Sequence, residues 1–167
     1  MDPALYAARL IHSDLTFTNA KAWQWWIAVS PYDYKDGLIH IDYNTEDGEI
    51  YESKLLWAMG NYARFVRPGM QRVEITRDDN QSTLNTLTGV MVSSYMDPTN
   101  LKVVTVAINY GTSSEPFSID AGEDAEFDIF ETSAAHNLGN VGRAQRISST
   151  ATAHALPPRS ITTFVQV

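Results

Sequence analysis

The sequence predicts a mixed α and β chain, an α/β unit followed by an antiparallel β-sandwich, and three observations carry that expectation. An apolar stripe of helical period at the start leads into an aromatic run at residues 20–29. A second helical stripe follows and stops at Arg67-Pro68-Gly69. Beyond Gly69 the pattern changes to short Val-, Ile-, Thr- and Phe-rich segments divided by Asp, Asn, Gly, Ser and Pro, the signature of small antiparallel β architectures.

The first helix begins almost at Met1, with Asp2 as N-cap and Pro3 at the first helical position. Ala4, Ala7, Ala8 and Ile11 lie on one face. Residues 20–29 are too apolar and aromatic for a half-exposed strand and fit one covered on both sides. Residues 38–43 alternate as a short strand or extended segment, and Asn44-Thr45-Glu46-Asp47-Gly48 is turn material. Residues 52–65 are helical, with Leu55, Leu56, Met59, Ala63 and Val66 as the apolar stripe. A helix after a buried strand suits a barrel or a doubly wound sheet. Strands are then expected at 70–76, 89–95, 101–109, 116–120, 126–130 and 161–167, with residues 148–153 as a loop or irregular edge strand. Gly139, Asn140 and Gly142 read as one turn. The boundary falls near Arg67 to Gly69, giving domains 1–69 and 70–167.

Composition narrows the function. With 167 residues and 44% hydrophobic content, the chain can bury a sizeable core. A net charge of −8 and the lack of Lys/Arg clusters weigh against nucleic acid or anionic lipid and favour neutral or basic partners. Zero cysteines exclude disulfides, thiol nucleophiles and thiolate metal sites. No apolar run approaches the roughly 18 residues of a membrane helix. The start carries no signal-peptide pattern, so a soluble, unexported chain is expected. The glycines form no phosphate loop or dinucleotide fingerprint, and no cofactor is expected.

Trp23-Gln24-Trp25-Trp26 holds three of the four tryptophans. An indole lies flat on the apolar face of a pyranose while polar loop groups meet its hydroxyls, so this cluster points to carbohydrate. In an extended strand Trp23 and Trp25 point one way and Gln24, Trp26 and Ala28 the other. Ala7, Ala8, Leu55 and Met59 are suited to cover indoles, so Trp23 and Trp25 are read chiefly as core. Trp26 is the foremost candidate platform. Trp25, Tyr32, Asp33 and Tyr34 remain candidate substrate-binding residues with it, and Asp36 on the same loop is a further substrate-contact candidate.

The order Ala22-Trp23-Gln24-Trp25-Trp26, Tyr34-Lys35-Asp36-Gly37-Leu38-Ile39, Ser53-Lys54-Leu55-Leu56-Trp57, Gly60-Asn61-Tyr62-Ala63-Arg64-Phe65-Val66-Arg67-Pro68-Gly69 and Leu156-Pro157-Pro158-Arg159-Ser160-Ile161-Thr162-Thr163-Phe164 resembles the C-terminal part of family 30 glycoside hydrolases. Within that family it looks most like the endo-β-1,6-galactanases. The resemblance covers essentially the whole chain and implies the last βα unit of a (β/α)8 barrel plus a β-sandwich side domain. Its barrel elements would be helix 7, strand 8 (residues 20–29) and helix 8. It further implies a retaining enzyme whose acid/base glutamate follows strand 4 and whose nucleophile glutamate follows strand 7. Both positions lie upstream of Met1, so no catalytic residue is assigned in this chain, which is expected to be inactive alone. The motif alignment places Trp26 at the end of strand 8, on the floor of the subsite where the bond is cut. Gln24 would be a deeper hydrogen-bonder.

Other polar groups have plainer explanations. Glu46, Asp47 and Glu49 lack the ligand alternation of a calcium loop and read as a solvated turn. Asp120, Glu123, Asp124, Glu126 and Asp128 make an acidic patch, read mainly as a solubilising surface and less readily as a cation site. His12, His40, His136 and His154 have no metal-type spacing, and no metal is expected. His12 reads as a partner of the helix C-terminus. Lys54, Arg64 and Arg67 read as structural pairings at the outer helix.

Two function classes follow. The chain is the C-terminal piece of a secreted endo-glycosidase acting on a β-linked, β-1,6-galactan-like polysaccharide, or it is a non-catalytic glycan-binding or structural module. Expected partners are a polysaccharide or oligosaccharide, and the missing barrel portion or a second copy of the chain. A strand at 20–29 without barrel neighbours would leave backbone groups unpaired. It is therefore expected to pair with residues 38–43 or with another copy.

Overall fold

A computed structural model describes residues 1–32, 36–44 and 46–167. Helix α1 is Asp2–Thr16, followed by strands β1 (Val29–Ser30), β2 (Ile39–Ile41) and β3 (Ile50–Glu52), then helix α2 (Lys54–Ala63). The later strands are β4 (Gln71–Val73), β5 (Val90–Met96), β6 (Val103–Asn109), β7 (Glu115–Asp120), β8 (Phe127–Thr132), β9 (Gly139–Arg143), β10 (Gln145–Arg146), β11 (Ala151–Leu156) and β12 (Ser160–Gln166). The result is mixed α and β, and mostly sandwich. No helix among the described residues is long and apolar enough to cross a membrane.

A six-stranded sheet of order β4-β5-β6-β12-β8-β9 forms the central layer. Its strands alternate inside and out, so each face buries a different set of side chains. On one face Met91, Tyr95, Val106, Ile108 and Ile161 meet Ala4, Leu5, Ala8 and Ile11 of α1 and Ala58 and Tyr62 of α2. On the other, Ala107, Phe127, Ile129 and Phe164 pack with Leu156 and Phe117 of the three-stranded sheet β10-β11-β7. Fully burying Phe127 and Phe164 contributes roughly 2 to 3 kcal/mol each. The helix-facing core crosses Gly69, the residue where the sequence suggested a domain boundary.

Several elements differ from expectation. Met1 caps α1, with Asp2 inside the first turn. Helix α2 buries Leu55, Ala58, Asn61 and Tyr62, while Ala63 is exposed. Its working face is thus rotated from the predicted stripe toward the sheet beneath it. The Ser53 Oγ caps α2 by accepting from Leu56 N–H at 3.2 Å. The Pro68-Gly69 stop becomes a turn in which Met70 N–H donates to Arg67 C=O at 3.1 Å, with Gly69 at φ +96°. That conformation favours glycine. The glycine-rich stretch at 139–143, read as a turn, is the edge strand β9, and of residues 148–153, read as a loop or irregular edge strand, 151–153 begin β11, the middle strand of its sheet. Cross-strand pairing, which local pattern does not report, orders both.

The largest departure concerns residues 20–29. They do not form a buried strand, and only Val29–Ser30 is strand. Its parallel partner is β2, with Val29 opposite Ile39 and Ser30 opposite His40. The ladder reaches back through Leu38 N–H to Ile27 C=O at 3.0 Å and Ile39 N–H to Ala28 C=O at 2.9 Å. The end of this run therefore pairs with the 38–43 segment, whereas residues 20–26 pair with no strand among the described residues. Covering such a run on both faces needs neighbours that the described residues do not supply.

Lys54 ties α2 to the β8–β9 loop. Its ammonium donates to Ser133 C=O at 2.5 Å, His136 C=O at 3.0 Å and Asn137 Oδ1 at 2.6 Å. Three N–H groups thus meet three oxygens, and hydrogen bonds from a charged donor are stronger than neutral ones. Replacing Lys54 with Met is expected to lower stability by about 2 kcal/mol, measured as a shift of the urea midpoint. Arg is expected not to restore it, because a planar guanidinium cannot present three converging donors.

Candidate functional site

The candidate site grows from the aromatic run. Trp23 and Trp25 are two residues apart and share a side, where their rings stack with centroids 5.8 Å apart and planes at 20°. Both are half-buried, and Trp23 packs on the helix-facing core. Trp23 Nε1 donates to Asp14 Oδ2 of α1 at 2.9 Å, and Trp25 Nε1 donates to Asp36 C=O at 2.6 Å. Each partly buried indole N–H is thus satisfied, as burial demands. They support the segment from beneath, only partly as core.

Gln24, Trp26 and Ala28 lie on the opposite side and are exposed, Trp26 to 81%. Gln24 was expected to hydrogen-bond inside a barrel, but it is exposed, because no strand among the described residues covers that side. The Trp26–Ile27 peptide bond is cis. Tyr32 follows β1, half exposed, its N–H donating to Ser30 Oγ at 3.2 Å. Its ring meets Tyr43 edge to face at 5.8 Å. Sequence reasoning passed over Tyr43 as the end of a strand. The signal available was an aromatic bordering an Asp/Asn turn. Asp33 and Tyr34 lie outside the described residues. Asp36 serves the backbone, its C=O also accepting from Ile27 N–H at 3.3 Å, and its Oδ1 is buried rather than presented to a ligand.

Among the described residues, the remaining polar groups form no second site. Asp42 accepts from Asn44 N–H and Glu49 N–H, and Asn44 Oδ1 accepts from Glu46 N–H, so these polar groups bond to nearby backbone. No group of acids and histidines able to hold a metal occurs among the described residues. The acidic patch is laced by arginines: Arg143 pairs with Glu126 and Asp128, and Arg146 with Asp124 and Glu126. Such surface pairs contribute little stability. Arg67 bonds Ala63 C=O at the helix end, and Arg64 lies over Phe65 and Phe130. His12 is not a dipole partner. It is fully buried with neither ring nitrogen hydrogen-bonded, and burial, aided by the positive Arg72 and Arg77, pulls its pKa down to about 4. Burial also lowers His154 and raises Tyr62. A cleft of about 720 Å³ opens between the two helices and residues 19–23, lined by Ile11, Leu15, Trp23, Met59 and Tyr62 among others.

Comparison with known proteins places this arrangement. Residues 1–40 match the model of O-glycosyl hydrolase family 30, and residues 69–164 match the family 30 β-sandwich domain. Glucuronoxylanase XynC of Bacillus subtilis (strain 168) is 30% identical over 164 residues, 97% of this chain and 34% of that protein. A conserved exported protein from Bacteroides fragilis superposes with a TM-score of 0.85 at 39% identity, covering 97% of this chain and 33% of the other. The family 30 subfamily 8 xylanase of Clostridium acetobutylicum superposes with a TM-score of 0.75 at 28% identity, over 98% of this chain and 38% of the other. None of these three bears the galactanase name that the motif order suggested, and two are named for xylan. The chain spans about a third of the length of these relatives. With the sandwich model alone matching more than half of its residues, the chain belongs to glycoside hydrolase family 30.

Proposed function

We propose that this chain is the C-terminal portion of an exported, retaining endo-glycosidase that hydrolyses a β-linked polysaccharide. In this reading residues 1–69 complete a (β/α)8 barrel as helix 7, strand 8 and helix 8, and residues 70–167 are the accessory sandwich. A whole barrel takes roughly 250 residues, which fits a chain one third the length of its relatives. Upstream strands would pair with residues 20–26 and cover the stacked indoles and the cleft beside Trp23.

The observation that carries the reading is Trp26, exposed on a segment held from below by Trp23 and Trp25. It gives a sugar ring an apolar floor at the end of the strand where barrel enzymes build their sites. Tyr32, Tyr34 and Asp33 would line the rim. Retention requires two carboxyl groups roughly 5 to 5.5 Å apart across the glycosidic bond, and these would come from upstream strands. The chain alone would then bind glycan without cleaving it.

The motif order favours β-1,6-galactan, and the names of the relatives favour glucuronoxylan as a second substrate. Incubating the chain with each polymer, and measuring both retention and released reducing ends, tests the reading. Retention without reducing ends is expected, falling about tenfold in Trp26→Ala. Co-expressed upstream barrel should add hydrolysis, and failure to do so would favour the non-catalytic binding module. Dose-dependent hydrolysis by this chain alone would sink the claim that its catalytic pair lies elsewhere.

A further inference from the structure

We propose that the Tyr32–Tyr43 pair forms a sugar-stacking surface of its own, in addition to Trp26, and takes an uncharged glycan, with Tyr43 as an additional binding residue. This rests on the glycan reading above. Strands β1 and β2 run parallel, and Tyr32 and Tyr43 each stand two residues past their ends. Parallel pairing brings both rings to the same end of the sheet, where they meet edge to face at 5.8 Å. Tyr32 stays 50% exposed and Tyr43 69%. Single exposed aromatics are ordinary, but several gathered on one short unit mark a binding surface.

Charge selects the ligand. Residues 20–52 contain seven Asp/Glu and two Lys, a formal balance of 2 − 7 = −5. No arginine occurs between Arg9 and Arg64, although the guanidinium fork is the group best matched to a carboxylate. Lys54, the next cation along the chain, is committed to the carbonyls of the β8–β9 loop. Lys21 lines the cleft beside Trp23, and Lys35 lies outside the described residues. A uronate side group on the polymer would meet a field of its own sign. An uncharged galactan or xylan stacks on the same rings without that penalty.

Affinity electrophoresis of the chain tests this, in gels carrying native glucuronoxylan, the same xylan after carboxyl reduction, or β-1,6-galactan. Retardation is expected to be at least about fivefold stronger on the carboxyl-reduced than on the native xylan, with the gap narrowing at high salt. Tyr43→Ala should weaken retardation on neutral polymer about three- to tenfold, and Tyr43→Phe should keep it. Circular dichroism confirms that the variants fold. Equal or stronger retention on native glucuronoxylan, or an unchanged Tyr43→Ala, would overturn the inference while leaving the glycan reading intact. Retention on none of the polymers overturns the glycan reading and this inference with it.

Discussion

Substituting Asn61 with leucine is expected to destabilise the chain by about 3 kcal/mol, a large part of the 5 to 15 kcal/mol typical of a domain. Asn61 lies fully buried on α2 and joins that helix to two strands of the central sheet. Its Nδ2 donates to Trp57 C=O at 2.9 Å and to Thr132 Oγ1 at 2.6 Å, and its Oδ1 accepts from Thr163 Oγ1 at 2.9 Å. Three hydrogen bonds at roughly 1 kcal/mol each set the scale. The loss is no larger because Thr163 Oγ1 also reaches Asn61 C=O, and Thr132 Oγ1 also pairs with Trp57 C=O and Leu138 N–H.

Asn61→Asp is expected to be worse than Asn61→Leu, although its shape is nearly unchanged. An oxygen would replace the amide donor facing Trp57 C=O, and a carboxyl group would be buried without a cation to pair it. Adding Thr163→Val to Asn61→Leu should cost less than the sum of the two single changes, since they share one bond. Urea unfolding of the four variants measures this. If leucine were tolerated as well as asparagine, the network would be a passenger and packing alone would join helix to sheet.

The parts of the fold that were legible in the sequence are those set by local period. The Ala4, Ala7, Ala8 and Ile11 stripe is buried as its spacing implies, and the β-rich character after Gly69 follows from alternation and turn residues. Strand β9 escaped because Gly139 and Gly142 offer no side chains to pattern, and β8 alone gives them a place. The aromatic run divides the same way. Trp23 and Trp25 stack together while Trp26 is exposed, a division that i, i+2 spacing can report because side-chain direction is a local property. Whether those sides are covered depends on strands elsewhere, and composition alone misjudged it. Tyr43 borders an Asp/Asn turn in the sequence, but its pairing with Tyr32 depends on the parallel register of β1 and β2.

Acidification from about pH 6.5 to pH 4 is expected to remove about 3 kcal/mol of stability through His12 alone. Its ring is fully buried on α1, has no hydrogen-bond partner for either nitrogen, and is held to about 4 by burial, with Arg72 and Arg77 adding repulsion. Above about pH 6.5 the ring is neutral in both folded and unfolded chains and pH has no leverage through it. Below that, the unfolded chain binds a proton that the folded chain refuses, so stability falls as pH falls. The decline levels off only below the folded value, where both forms are charged. His154, also lowered by burial, adds a slope of the same sign, so His12→Leu should flatten most of the decline rather than all of it. The same variant is expected to stabilise the chain at pH 7 by roughly 1 to 2 kcal/mol, because it deletes a buried ring N–H that bonds to nothing. Urea unfolding of both proteins at pH 7, 6, 5 and 4 checks both effects. Parallel pH profiles for wild type and His12→Leu would show that His12 finds a partner or water on protonation, and would remove it as the origin of acid lability.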